Sequence, residues 1–251
     1  MSSNVMNELT TKQNSAREKL IVALDKSEAG EVNQLVSALG EEIIWYKVGM
    51  ELYYNEGNAM VKRLLNQGKQ VFLDLKFHDI PNTVGQAARA ATRLGVGMFN
   101  VHAGGGREMM RQAALCSREE AARLGLKPPV VLGVTVLTSM NQEAFETDLG
   151  FTGTIEDKVV AWAVLAQEAG LDGVVASARE AALIRKQCGA GFKIVTPGIR
   201  PAGSDLNDQA RVMTPEMALD AGADYLVVGR PITAAPQPAD AARSILQTMA
   251  R

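Results

Sequence analysis

Val71-Phe-Leu-Asp-Leu-Lys-Phe-His-Asp-Ile-Pro-Asn-Thr83 is an apolar run that ends in charge and passes directly into a helix start. Side chains alternate sides along an extended segment, which puts Phe72, Asp74 and Lys76 on one face and Val71, Leu73 and Leu75 on the other. Opposite charges therefore meet at the end of a strand. Burying Asp74 and Lys76 is costly unless they pair or a ligand completes the site, so folding alone must find partners for both. Pro81 suits the first turn of the helix that follows.

This strand and helix unit recurs along the whole chain. Leu20–Leu24 precedes helical spacing through about Leu39, and Ile43–Val48 precedes a helix from about Leu52 to Asn66. After the Val71–Lys76 strand and the Pro81–Leu94 helix come Met98–Ala103 with Arg107–Leu124, then Val130–Leu137 with a longer loop and Ile155–Ala169. Gly173–Ser177, Lys193–Pro197 and Tyr225–Gly229 supply three more strands, followed by helices near Ala178–Gln187, Thr214–Ala221 and Pro238–Met249. The strands are continuous apolar runs, as expected of parallel strands covered on both faces. Eight successive βα units predict an α/β protein built as a single (β/α)8 TIM barrel over residues 20–251, with an open doubly wound sheet as the weaker alternative. Residues 1–19 form a polar leader, expected to be flexible and given no function.

With 251 residues, 47% of them hydrophobic, the chain can bury a large core. The formal charge of −2 and the lack of a basic run argue against a nucleic-acid footprint and favour a small-molecule partner. Cys116 and Cys188 lie far apart without a CxxC pattern, which fits buried thiols in a reducing compartment. The leader lacks the apolar segment of a secretory signal, and no run approaches the about 18 apolar residues that span a bilayer. The expected localisation is cytoplasmic, with no membrane partner.

In a barrel of this kind the active site forms at the C-terminal ends of the strands. Asp25 closes the first strand, Lys47 lies near the end of the second, Asp74 and Lys76 end the third, and Asp79 follows closely. Each carboxylate stabilises the neighbouring ammonium, which leaves a charged lysine available as electrostatic catalyst and proton donor. The spacing also fits a structural ion-pair cluster lining the barrel mouth. A second signal lies in Val195-Thr-Pro-Gly-Ile-Arg-Pro201 and Val228-Gly-Arg-Pro-Ile-Thr233. Loops after the seventh and eighth strands form the recurrent phosphate site of this fold, where Gly198 and Gly229 permit close approach and Arg200 or Arg230 adds forked hydrogen bonds. Two turns with solvated arginines are the alternative.

The polar loop from Arg200 to Arg211 is long enough for a lid, from which Gln209 reaches a ligand or stays a surface residue. Thr138 and Ser139 either hydrogen-bond a heterocycle's edge or cap the following turn. His78 and His102 show no metal-ligand spacing; His102 is expected on the pocket floor, and His78 packed or against a neighbouring subunit.

Asp74-Leu-Lys-Phe-His-Asp-Ile-Pro-Asn-Thr83 closely resembles the signature of the orotidine 5′-phosphate decarboxylase family in its bacterial form. Leu24-Asp25, Tyr46-Lys-Val-Gly49, Asn100-Val-His-Ala103, Val134-Thr-Val-Leu-Thr-Ser-Met140, Leu171-Asp-Gly-Val-Val175, Thr196-Pro-Gly-Ile-Arg200 and Gly229-Arg-Pro231 follow at matching spacing. The resemblance implies loss of carbon dioxide from orotidine 5′-monophosphate to give uridine 5′-monophosphate in pyrimidine biosynthesis, with no metal or other cofactor. It implies that Lys76 is the cation and proton donor, held by Asp74 and by Asp79 of a partner subunit. Asp25 and Lys47 would bind ribose hydroxyls, Thr138 would lie beside the pyrimidine, and Gln209 would bridge lid and ligand. Arg230, the Gly229 amide and Arg200 would hold the phosphate. It further implies a homodimer in which Asp79, Ile80 and Thr83 enter the other chain's site. Two rivals share the barrel: a metal-dependent sugar-phosphate decarboxylase or aldolase, and a nucleotide-binding barrel without catalysis.

Overall fold

The computed structural model describes residues 12–201 and 213–250. Eight parallel strands close in sequence order into a barrel, β1 (Leu20–Ala23), β2 (Trp45–Gly49), β3 (Gln70–Phe77), β4 (Met98–His102), β5 (Val130–Val134), β6 (Gly173–Val175), β7 (Lys193–Thr196) and β8 (Tyr225–Val228), with β8 paired back to β1. The helices are α1 (residues 12–19), α2 (Ala29–Leu39), α3 (Met50–Asn66), α4 (Pro81–Leu94), α5 (Gly106–Leu124), α6 (Gln142–Thr147), α7 (Ile155–Glu168), α8 (Ala178–Cys188), α9 (Pro215–Asp220), α10 (Arg230–Thr233) and α11 (Pro238–Met249).

Alternation along each strand splits the apolar residues between two cores. Ile21, Ala23, Phe72, Met98, Leu132, Val195 and Val227 fill the barrel interior, while Leu20, Val22, Tyr46, Val48, Val71, Leu73, Phe99 and Val101 pack outward beneath the helices. The wall is therefore apolar on both sides, as parallel strands require. Trp45 and Tyr225, each the first residue of its strand, meet edge to face at 5.9 Å at the N-terminal end of the interior. Lys47, Asp74 and Asn100 continue the inward rows of β2, β3 and β4 toward the opposite end. An inward side chain there meets no further strand layer. Polar groups at those positions reach the open C-terminal face, where a ligand can approach them.

Three local differences from expectation have physical causes. Strand β5 ends at Val134 rather than Leu137, because Thr135 turns both its amide and its hydroxyl to the Val175 carbonyl, at 3.1 and 2.9 Å, as the chain leaves the sheet. The following loop contains α6, whose start is fixed by the Asn141 side chain accepting from the Ala144 amide at 2.8 Å. Residues 12–19 of the leader are helical, with Ala16 buried and Arg17 donating to the Glu41 and Glu42 carbonyls. Cys116 and Cys188 are buried and unpaired with each other. Among the described residues no helix is long and apolar enough to cross a membrane.

Candidate active site

The C-terminal ends of β1, β2 and β3 bring four charged side chains into one connected chain. The Lys47 ammonium lies 2.9 Å from Asp25 Oδ1 and 3.5 Å from Asp74 Oδ2. The Lys76 ammonium donates to Asp74 Oδ1 at 2.7 Å. Register explains the meeting: Ala23 stands opposite Lys47, and Gly49 opposite Asp74. Asp74 thus sits between two cations, with only 14% of its side chain exposed.

Burial penalises each charge, but the neighbours outweigh it. Burial alone pulls the Lys47 ammonium down, yet the carboxylates of Asp74 and Asp25, through charge and hydrogen bonds, hold it above the ordinary lysine range. For Asp74 burial pushes upward; the charges of Lys47 and Lys76, with hydrogen bonds from Lys76 and Asn100, hold it below the ordinary carboxylate range. The ionised forms of both groups are therefore favoured at neutral pH.

Strict alternation along β3, expected from its sequence, does not hold. Leu73 pairs with Phe99 and Phe77 with Val101, so Asp74, Leu75 and Lys76 stand opposite Asn100 alone. Lys76 absorbs the extra length with a left-handed backbone, φ 51°, and is the one non-glycine residue with positive φ among the described residues. That conformation costs a non-glycine residue about 1–3 kcal/mol. The bulge nevertheless keeps Asp74 and Lys76 together at the mouth.

Asn100 and Gly49 are site residues to which sequence reasoning assigned no role. The fully buried Asn100 accepts from the Lys76 amide at 2.8 Å and donates to Asp74 Oδ1 at 2.7 Å. A buried amide in the apolar run Met98–His102 was the available signal. A Cβ on Gly49 would lie 3.0 Å from the Lys47 Nζ and 3.7 Å from Asp25 Oδ1, so the ammonium folds over a position that only glycine leaves open.

At the other side of the mouth, Arg200 is 7% exposed; its amide donates to Met213 O at 3.1 Å and its Nη1 to Ile199 O at 3.3 Å. Its Nε is buried with no hydrogen-bond partner among the described residues. Burial, and then the neighbouring cation Arg230, press the Arg200 guanidinium below its usual range. Two guanidiniums near enough to oppose each other favour an anion between them. Gly229 precedes Arg230 at the start of α10, and a Cβ there would lie 3.5 Å from Asp25 Oδ2. The β8 end thus adjoins the charged chain.

Thr138 is partly buried beyond β5. Asp79, Ile80 and Thr83 are exposed, Ile80 by 66%, and among the described residues Asp79 makes no ion pair; its Oδ1 accepts from the Ile80 amide at 2.6 Å. The single chain does not bring Asp79 to Lys76. Gln209 lies outside the described residues. His78 stacks on His102 with ring centres 5.2 Å apart, and His102 meets Trp162 edge-on at 5.9 Å. The Gly104 amide donates to His102 Nδ1 at 3.1 Å, while burial, His78 and Lys76 press the imidazole below its usual range. Among the described residues no group of three or more His, Cys, Asp or Glu side chains is placed to hold a metal ion.

Residues 18–245 match the model of the orotidine 5′-phosphate decarboxylase / HUMPS family. Two relatives named orotidine 5′-phosphate decarboxylase, from Moorella thermoacetica and Heliobacterium modesticaldum, are 55% and 52% identical to this chain over 230 and 235 residues. These alignments cover 92% and 94% of this chain and 91% and 97% of the relatives. The crystal structure of orotidine 5′-phosphate decarboxylase from Lactobacillus acidophilus superimposes with a TM-score of 0.82 at 38% identity, covering 92% of this chain and 98% of that one. The chain belongs to the orotidine 5′-phosphate decarboxylase / HUMPS family.

Proposed function

We propose that this chain converts orotidine 5′-monophosphate into uridine 5′-monophosphate and carbon dioxide in pyrimidine biosynthesis, with Lys76 as electrostatic stabiliser and proton donor. The observation that carries this is the unbroken chain Asp25, Lys47, Asp74, Lys76 at the barrel mouth, in a member of this family. The bond from the ring carbon to the carboxylate breaks and its electron pair stays on the ring. A fixed cation beside that carbon is then worth more in the transition state than in the ground state. Lys76 transfers a proton to the carbon, and its neutral amine regains one from solvent.

Asp74 orients Lys76 and lies beside the departing carboxylate. Asp25 and Lys47 bind the ribose hydroxyls, Thr138 lies beside the pyrimidine, and Gln209 bridges the lid and the ligand. Arg200, Arg230 and the Gly229 amide hold the phosphate, an assignment supported by the adjacent guanidiniums and by the buried Arg200 Nε, which has no hydrogen-bond partner among the described residues. Phosphate is remote from the reacting carbon, yet its binding energy can order the charged site. The exposure of Asp79, Ile80 and Thr83 at the mouth supports a homodimer in which these residues enter the partner's site. The protein works in the cytoplasm.

The test follows loss of orotidylate absorbance with wild type and Lys76→Ala, each with and without excess chelator. Turnover that survives the chelator and collapses in the variant is expected. Equal rates for the two proteins would overturn the role of Lys76, and loss of wild-type turnover on chelation would favour metal-dependent chemistry.

A further inference from the structure

We infer that Asn100 is a positioning residue for the decarboxylation, its amide standing in for a missing stretch of β-ladder so that Asp74 and Lys76 are held as one rigid pair. This rests on the function proposed above. Three residues of β3 face the single residue Asn100 of β4, so the ladder cannot satisfy the bulged backbone or fix its direction. The Asn100 side chain does both. Its carbonyl oxygen accepts from the amide of the left-handed Lys76 at 2.8 Å, and its NH2 donates to Asp74 Oδ1 at 2.7 Å, the oxygen that also receives the Lys76 ammonium.

The two bonds need an acceptor and a donor, which the amide carries on one short planar group; a carboxylate lacks the donor, and an apolar residue lacks both. Full burial of Asn100 removes solvent as a substitute partner. Without it, Lys76 loses the side-chain anchor of its backbone, and Asp74 is held only by the mobile ammonium groups of Lys47 and Lys76. A small displacement of the ammonium from the reacting carbon suffices to lose rate.

The experiment compares wild type, Asn100→Ala and Asn100→Asp in full-length protein. Thermal unfolding establishes the folded fraction, and kcat and KM are measured across the acid pH range. Hydrogen bonds to a charged group carry enough energy that each variant should lose about 10- to 100-fold in kcat per folded site, with KM little changed because the phosphate and ribose contacts are intact. The acid limb of kcat should move to higher pH, since Asp74 loses a donor that favours its ionised form. The groups facing Asp74 are Lys47 on β2 and Lys76 on β3, with Asp25 reached through Lys47 and His102 beside Lys76.

The carboxyl carbon-13 resonance of Asp74, assigned by its loss in Asp74→Asn, reports the same titration without turnover. Asn100→Asp should shift it further than Asn100→Ala, because it adds a neighbouring anion. A kcat per folded site within twofold of wild type, or an unmoved Asp74 titration in a folded variant, would overturn the inference. A purely structural Asn100 would lower the folded fraction while leaving the pH profile and the resonance in place. Absence of turnover in wild type would instead refute the proposed function, and the resonance would still decide the role of Asn100.

Discussion

Asp74→Asn tests whether the charged chain is a net stabiliser of the barrel as well as a catalytic device. The carboxylate lies 2.7 Å from one ammonium and 3.5 Å from another. At an effective dielectric constant of about 20 those separations correspond to about 6 and 5 kcal/mol of gross attraction. Desolvation of the ions and repulsion between the two ammoniums offset much of this. Removing one member of a buried pair typically costs about 3–5 kcal/mol, and the lower end applies here because the amide keeps one acceptor for Lys76 or Asn100. With a denaturant slope of about 3 kcal/mol per molar urea, a loss of about 3 kcal/mol lowers the unfolding midpoint by about 1 M.

The pH dependence makes the assignment specific. Asp74 titrates in the folded protein below its ordinary value of 3.8, so its contribution is present above that value and is lost as pH falls through the folded one. Lys47 titrates above its ordinary 10.5, so its contribution is present below that value and is lost as pH rises through the folded one. The gap between wild type and Asp74→Asn should therefore be constant from about pH 5 to 8 and should narrow below about pH 4. Urea unfolding followed by tryptophan fluorescence measures it, with Trp45 inside the barrel wall and Trp162 on α7 as reporters. Equal midpoints at pH 7, or a gap that stays open in acid, would refute the electrostatic reasoning.

Other outcomes follow from single contacts. Gly49→Ala places a methyl group 3.0 Å from the Lys47 Nζ, so kcat/KM for orotidine 5′-monophosphate should fall about tenfold while the circular dichroism spectrum is unchanged. Mixing inactive Lys76→Ala and Asp79→Ala chains should recover activity, because one hybrid site then carries both native residues; no recovery despite demonstrated chain exchange counts against a shared site. Arg185 donates to the Gly189, Phe192 and Gly222 carbonyls and to Asp224, all at 2.7–2.8 Å, and so ties α8 to the chain ahead of β7 and β8. Arg185→Met should cost about 2–4 kcal/mol in urea unfolding, with turnover per folded molecule unchanged.

Much of the barrel was legible because its strands are apolar on both faces and recur with helical stretches between them, one of which Pro81 opens. What was missed has short range or crosses between strands. Helix α6 spans six residues, too few for periodicity, and only the cap at Asn141 announced it. The helix at residues 12–19 buries little beyond Ala16, so its sequence is polar throughout. Asp74 and Lys76 were legible as charges at the end of an apolar run. Their pairing was expected from alternation, but the backbone that delivers it was not, because it depends on a register shift against β4 and on a left-handed lysine where glycine or asparagine would have advertised the turn.

That lysine shows how the site departs from the rules that built the rest of the chain. Along β1, β2 and β4 the inward row simply continues from apolar residues to polar ones: Ala23 to Asp25, Trp45 to Lys47, Met98 to Asn100. Continuing β3 in the same way would keep Asp74 and Lys76 on one face with their backbones a full two-residue repeat apart, about 6.6 Å along the wall. The bulge gives up regular ladder pairing and strains one residue, and it leaves the two charges in contact with Asn100 facing both. Local sequence rules fail where several strands must deliver charges to one point, and the neighbouring strand supplies the amide that makes the failure tolerable.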